Sequence, residues 1–137
     1  MPDPGVEGVV TNLEIIKSLY LSDAEQTARN LQAALAADAE WTEEAGFPYA
    51  GTYRGLEEIG KNVFSRLASD WIGFRADVES FHDAGATVVA TGFYRATCRK
   101  TGKPMEAAFA HFWTLKSGKI VRYVQVADSK KVWDSMA

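Results

Sequence analysis

Cysteine is nearly absent. Cys98 stands alone, which excludes an intramolecular disulfide and any metal site built on several thiolates. Histidine is almost as scarce: His82 and His111 are the only two, so no pair stands at metal-ligand spacing, and neither a metal nor a cofactor is expected. No apolar run approaches the roughly 18 residues that a membrane span needs. Basic charge is not in excess either. Fifteen Lys and Arg against 18 Asp and Glu give a net charge of −3, whereas nucleic acids and anionic membranes demand a basic footprint, so neither is an expected partner. Neither a G-x-S-x-G elbow nor a G-x-x-x-x-G-K-[ST] phosphate loop occurs. The opening Met-Pro-Asp-Pro-Gly-Val-Glu-Gly lacks the basic patch and apolar stretch of a signal peptide, so a soluble cytoplasmic protein is the expectation.

What is present is the material of one globular domain. The 137 residues are 47% hydrophobic and 24% charged, which argues against disorder and against two separate cores. Aromatics reach 12%, with four Trp, a proportion that points to a lined pocket or a sizeable interface.

Residues 1–10, with two Pro and two Gly, read as a flexible arm, and residues 11–137 as a single domain. A first helix is predicted from Thr11 or Asn12, with Leu13, Ile16 and Tyr20 on one face. Ser22-Asp23 caps a second, where Ala24, Ala28, Leu31 and Leu35 make a buried stripe. Residues 39–43 alternate as a short strand, and residues 46–55 read as a structured loop. A third helix follows from about Leu56, with Trp71 flanking its apolar face.

The period then switches from 3.6 to 2. Residues 72–82, 86–98, 105–116 and 119–127 read as four strands joined by hairpin turns at Asp83-Ala84-Gly85, Lys100–Pro104 and Ser117-Gly118. Gly92, in mid-strand, predicts a bulge or bend, and Ser129–Met136 a final helical turn after an Asp128 cap. The expected fold is α+β: a cone-shaped barrel in which three N-terminal helices pack on a strongly curved, mainly antiparallel sheet enclosing a cavity. Alternation along the third of these strands places His111 with Met105, Ala107, Phe109, Trp113 and Leu115 on one apolar face. An ionisable group there needs a partner or a purpose.

Two segments, ALAADAEWTEEAGFPYAGTYRGLEEIG (34–60) and AFAHFWTLKSGKIVRYVQVAD (108–128), together with the helix–helix start, resemble the nuclear transport factor two-like superfamily. The nearest branches are the SnoaL-like polyketide cyclases, the ketosteroid isomerases and the limonene epoxide hydrolases. The resemblance implies a homodimer, a hydrophobic small-molecule ligand, and specific site positions. Glu43 falls where the isomerases carry their proton-shuttling Asp, and burial in an apolar cavity raises such a carboxyl toward a useful base. His111 falls where they carry the acid that holds the substrate oxyanion, a bond an imidazole N–H can also donate; the alternative is a core His bonded to a neighbouring strand or Tyr. Gln125 matches the catalytic Asp of the cyclases and epoxide hydrolases, and a carboxamide cannot act as a general base, which disfavours those mechanisms. The isomerases' helix-1 Tyr matches Leu19, one residue from Tyr20.

Tyr20, Tyr49, Tyr53, Trp113 and Gln125 are therefore candidate ligand-binding residues, with Tyr49 and Tyr53 expected at the cavity mouth. Arg54 is expected to pin its loop to a carboxylate, His82 to lie exposed, and Cys98 to be a buried, inert thiol. Two functions fit: a cofactor-free isomerase-type catalyst of proton transfer on an apolar carbonyl compound, and a non-catalytic module that binds a hydrophobic ligand or dimerises. A SnoaL-like cyclase or epoxide hydrolase ranks below both.

Overall fold

A computed structural model describes residues 10–137; most of the arm read at residues 1–10 lies outside it. The first helix, α1 (Asn12–Lys17), opens with a capping box. The Thr11 hydroxyl accepts the Glu14 N–H, and the Glu14 carboxylate accepts the Thr11 N–H in return. Asp23 caps α2 (Ala24–Ala34) by accepting from the Gln26 N–H. Both helices end quickly, and the chain turns into the sheet.

The six strands are β1 (Leu35–Glu43), β2 (Gly51–Arg54), β3 (Trp71–Ala84), β4 (Thr87–Cys98), β5 (Pro104–Lys116) and β6 (Lys119–Ala127). They form one sheet in the order β2-β1-β6-β5-β4-β3, parallel only between β1 and β6. The α+β class and the curved, mainly antiparallel sheet are as the sequence predicts; the sheet stays open, with β2 and β3 as its edges. Between β2 and β3 runs a helical stretch of three parts: α3 (Gly55–Ile59), a π-helical turn (Gly60–Phe64) and α4 (Ser65–Asp70). The closing helix α5 (Ser129–Met136) is capped by Asp128, which accepts from the Lys131 N–H.

Three boundaries differ from the expectation. Leu35 leaves the α2 stripe for β1, where it pairs with Ile120; a helix-prone Ala-rich run yields to sheet pairing. Trp71 opens β3 opposite Cys98 rather than flanking a helix. Part of the 46–55 loop is strand β2, paired to β1 from Glu40↔Arg54 to Glu43↔Gly51, and the Arg54–Glu40 ion pair (2.6 Å) fastens that pairing.

Gly92 is where the sheet bends. The β3–β4 register slips between Val78 and Ser80, and a Cβ at position 92 would sit 2.0 Å from the Asp77 carbonyl oxygen. At the β5–β6 hairpin, Ser117 and Gly118 both take positive φ (51° and 76°), the two-residue turn whose twist suits flanking strands. The concave face carries two apolar clusters. One packs Ile16, Leu31, Ile59 and Val63 against Trp41, Trp113 and Tyr123; the other gathers Phe47, Tyr49, Trp71, Tyr94 and Phe109 under Val132 of α5. Each fully buried aliphatic side chain there contributes about 1.5–3 kcal/mol.

Candidate active site

Strand pleating aims every second residue at the concave face, and pairing sets these residues side by side in rows. One row reads Glu43–Gln125–His111–Ala90 across β1, β6, β5 and β4. The next reads Trp41–Tyr123–Trp113–Val88. All eight residues are buried. The sheet thus places one carboxyl, one carboxamide and one imidazole in line, with an aromatic row beside them.

A pocket of about 170 Å³ lies between this face and the helices. Its sheet wall is Trp41, Glu43, Tyr94, His111, Trp113 and Tyr123. Leu19 and Tyr20 approach from the turn after α1, Thr27 and Leu31 from α2, and Val63, Phe64 and Leu67 from the helical stretch between β2 and β3. Phe47, with Phe74 and Ala76 of β3, completes it. A wider depression of about 840 Å³ lies elsewhere, against α5; it is open and lined by Arg75, Arg95, Glu106 and Lys131, and it holds none of the buried polar row.

Glu43 is 5% exposed. Its Oε1 accepts a long bond from the Trp41 indole N–H (3.4 Å), and its Oε2 has no partner. Burial drives its pKa up to about 7; the indole N–H opposes the shift and the neighbouring Glu44 carboxylate adds to it. Glu44 itself plays a structural part. It accepts from the Ala127 N–H and the Ser129 hydroxyl, tying the end of β6 to the start of α5.

His111, also 5% exposed, is held at both ring nitrogens. Nδ1 meets the Tyr20 hydroxyl and Nε2 the Tyr94 hydroxyl, each at 2.5 Å. The Tyr20 oxygen also accepts the Trp113 indole N–H at 2.8 Å. Burial lowers the His111 pKa to about 3, so the ring is neutral at any ordinary pH. Both ring nitrogens are occupied by phenols, as in the reading of a buried His bonded to Tyr, while the ring itself lines the pocket. Both phenols are pushed up by burial and stay protonated.

The remaining candidates divide. Tyr20 and Trp113 line the pocket. Gln125 is fully buried between Glu43 and His111, does not line the pocket, and leaves both side-chain polar atoms unpartnered. Tyr49 and Tyr53 do not close the mouth. The Tyr49 hydroxyl donates to Asp70 (2.5 Å) and accepts from the Trp71 indole N–H (3.1 Å), deep in the second cluster. The Tyr53 hydroxyl bonds the carbonyls of Tyr49 and Ala50, fixing the loop to itself. These bonds hold both rings away from the ligand space. His82 is exposed and Cys98 buried and free, as expected.

Tyr94, Tyr123 and Phe47 line the pocket but are not among the candidates. For Tyr94 a signal existed: Val88, Ala90, Gly92 and Tyr94 share one parity on β4, and all four are buried. Among the described residues, no three His, Cys, Asp or Glu side chains cluster as metal ligands, and no helix is long and apolar enough to cross a membrane.

This architecture has known counterparts. An NTF2-like protein from Burkholderia thailandensis E264 is 41% identical, with 93% of this chain and 98% of that chain covered and a TM-score of 0.88. TerC, co-crystallized with polyporic acid, is 23% identical over 91% of this chain and 97% of its own, with a TM-score of 0.79. A Jannaschia sp. CCS1 protein described as a SnoaL-like polyketide cyclase is 14% identical over 91% of this chain and 90% of its own, with a TM-score of 0.77. The last two likenesses are of fold. No curated protein matches the chain. The family model of the SnoaL-like domain matches residues 22–123, a stretch that holds Glu43, Tyr94, His111, Trp113 and Tyr123 and stops short of Tyr20 and Gln125. With three quarters of its length matched, the chain belongs to the SnoaL-like domain family.

Proposed function

We propose that the pocket binds a small apolar carbonyl compound and moves a proton on the carbon beside its carbonyl, with Glu43 as the base. One observation carries this reading: a buried carboxyl with an unpartnered oxygen, its pKa raised to about 7, on the same aromatic-walled pocket as a tyrosine–histidine network. A base tuned near the working pH has both the correct protonation state and the driving force to take a proton from carbon. Glu43 Oε2 takes the proton, the C–H electron pair becomes the enolate, and the negative oxygen rests on a donor in the network. Returning the proton to another carbon completes an isomerisation that needs no oxidant and no cofactor.

The size of the pocket sets the ligand's reacting part. A cavity of roughly 150 Å³ is enough for benzene, so about 170 Å³ suits one ring and its oxygen. A larger skeleton has room in the apolar groove along α2, α4 and β3, about 700 Å³, which shares Thr27, Leu31, Phe64, Leu67, Phe74 and Ala76 with the pocket. TerC, with polyporic acid, supports the reading that this fold takes up small organic molecules.

The test is hydrogen–deuterium exchange at the α-carbons of cyclohexanone, followed by NMR. The protein should speed exchange and Glu43→Gln should abolish the acceleration. Equal exchange in that variant overturns the reading. A second reading, a binding module without chemistry, is favoured by Gln125 standing where the cyclases have an Asp; under it the ligand binds and no exchange occurs.

A further inference from the structure

The chain Trp113–Tyr20–His111–Tyr94 contains one proton more than its own bonds can use. Its three bonds are Trp113 Nε1 to Tyr20 Oη (2.8 Å), Tyr20 Oη to His111 Nδ1 (2.5 Å) and His111 Nε2 to Tyr94 Oη (2.5 Å). With a neutral imidazole the four members carry four N–H or O–H protons, and three bonds consume three. One hydroxyl proton is therefore left over, whichever ring nitrogen bears hydrogen.

The fixed end of the chain decides where it goes. An indole nitrogen can only donate, so the Tyr20 oxygen already accepts from Trp113. If Tyr20 passes its own proton to Nδ1, it gives one bond and accepts one. The imidazole then carries hydrogen on Nε2 and donates to Tyr94, whose proton is the free one. In the opposite direction the Tyr20 oxygen would accept from both Trp113 and His111 while its own proton pointed elsewhere, a crowded arrangement at one phenol. Bonds running the same way also polarise one another.

From this direction we infer that Tyr94 is the group that donates to the ligand's carbonyl oxygen, and that His111 is a positioning residue that fixes which way the Tyr94 proton points. This rests on the proposed carbonyl ligand and deepens it. Tyr94 and Glu43 line the same pocket, so the pocket offers one spare donor and one spare acceptor, Glu43 Oε2. A carbonyl with an acidic C–H beside it needs that pair. Gln125 and Tyr123 are the polar side chains beside the Tyr94 hydroxyl.

Two measurements test the inference on the full chain. The first is the ¹⁵N spectrum of the imidazole at pH 7 in His82→Gln, which leaves His111 as the single histidine. Hydrogen on His111 Nε2 is expected; hydrogen on Nδ1 overturns the direction and the donor with it. The second is the affinity for 4-nitrophenol, a phenolate stand-in for the enolate, read by absorbance. Tyr94→Phe should weaken it about tenfold, the worth of one lost hydrogen bond. Tyr20→Phe should weaken it less, since His111 can still donate to Tyr94. Unchanged affinity in Tyr94→Phe overturns the inference. Failure of the unaltered protein to bind the phenol, with the Nε2 proton in place, instead overturns the ligand reading and leaves the direction of the chain standing.

Discussion

Glu43 and His111 flank a single residue: each pairs with Gln125, one from β1 and the other from β5. The carboxyl and the imidazole are thus two strand spacings apart, about 9–10 Å, on one face. That is too far for a direct hydrogen bond; the imidazole instead meets Tyr20 and Tyr94, and Tyr94 shares the pocket with the carboxyl.

The two groups pull stability in opposite directions with pH. Glu43 has a folded pKa of about 7 against 4.5 for the ordinary carboxyl, so the folded state holds its proton more tightly. Its effect is absent below pH 4.5, and stability falls as pH rises to about 7, by of the order of 3 kcal/mol. His111 has a folded pKa of about 3 against 6.5, so stability falls as pH drops from 6.5 to 3. Between pH 4.5 and 6.5 the two slopes oppose each other. Chemical denaturation of Glu43→Gln across that window should show stability rising with pH more steeply than in the parent, and at pH 8 the variant should be the more stable. A variant with the parent's slope would mean that Glu43 is not buried as a proton-holding acid.

Catalysis follows from the same shift. The basic form of Glu43 appears as pH passes about 7, so exchange on a neutral ketone should rise through that region and level off above it. A profile flat from pH 5 to 9 would remove Glu43 from the base role.

Gln125 buries a carboxamide with neither polar atom partnered. An unsatisfied buried polar group costs about 1–3 kcal/mol, so Gln125→Met, of similar volume, should raise the melting temperature. A lower melting temperature would show that the amide has partners in solution, Tyr94 foremost.

Gly92→Ala should be among the most damaging single substitutions, because the new Cβ would meet the Asp77 carbonyl at 2.0 Å and force β3 and β4 apart. A loss above about 3 kcal/mol is expected in chemical denaturation.

The outer face of the sheet bears on assembly. Phe112 is 38% exposed there and pairs with Val89 and Val124, with Val126 exposed nearby. The homodimer we propose would cover this apolar strip, and Phe112→Glu should then convert dimer to monomer in sedimentation. A monomeric parent would overturn it.

The sheet was legible because period-2 alternation and turn chemistry agree along residues 72–127: Ser117-Gly118 can make little but a tight hairpin, and β6 begins and ends as read. Leu35 was not, since nothing local says that Ala-rich sequence will pair with Ile120 across 85 residues. His111 stands out by alternation and family likeness together, Glu43 by family likeness alone. Tyr49 shows the limit: an aromatic in a Gly-rich loop looks the same whether its hydroxyl caps a pocket or bonds Asp70, and only the position of Asp70 decides. Tyr94 and His111 lie seventeen residues apart on neighbouring strands, and their bond follows from a register no single segment states.

The π-helical turn at Gly60–Phe64 has a consequence for how this pocket can change. Its wider winding holds one residue beyond what a regular helix would fit, and each residue advances the helix by about 100°. Removing one inside the turn, at Lys61 for example, would restore ordinary winding there, and because the wide turn already absorbs that residue, the helix on either side keeps its phase. The roof is therefore expected to tolerate a one-residue deletion at this point, with Leu67 still over the pocket and the carboxyl, the imidazole and their phenols in place.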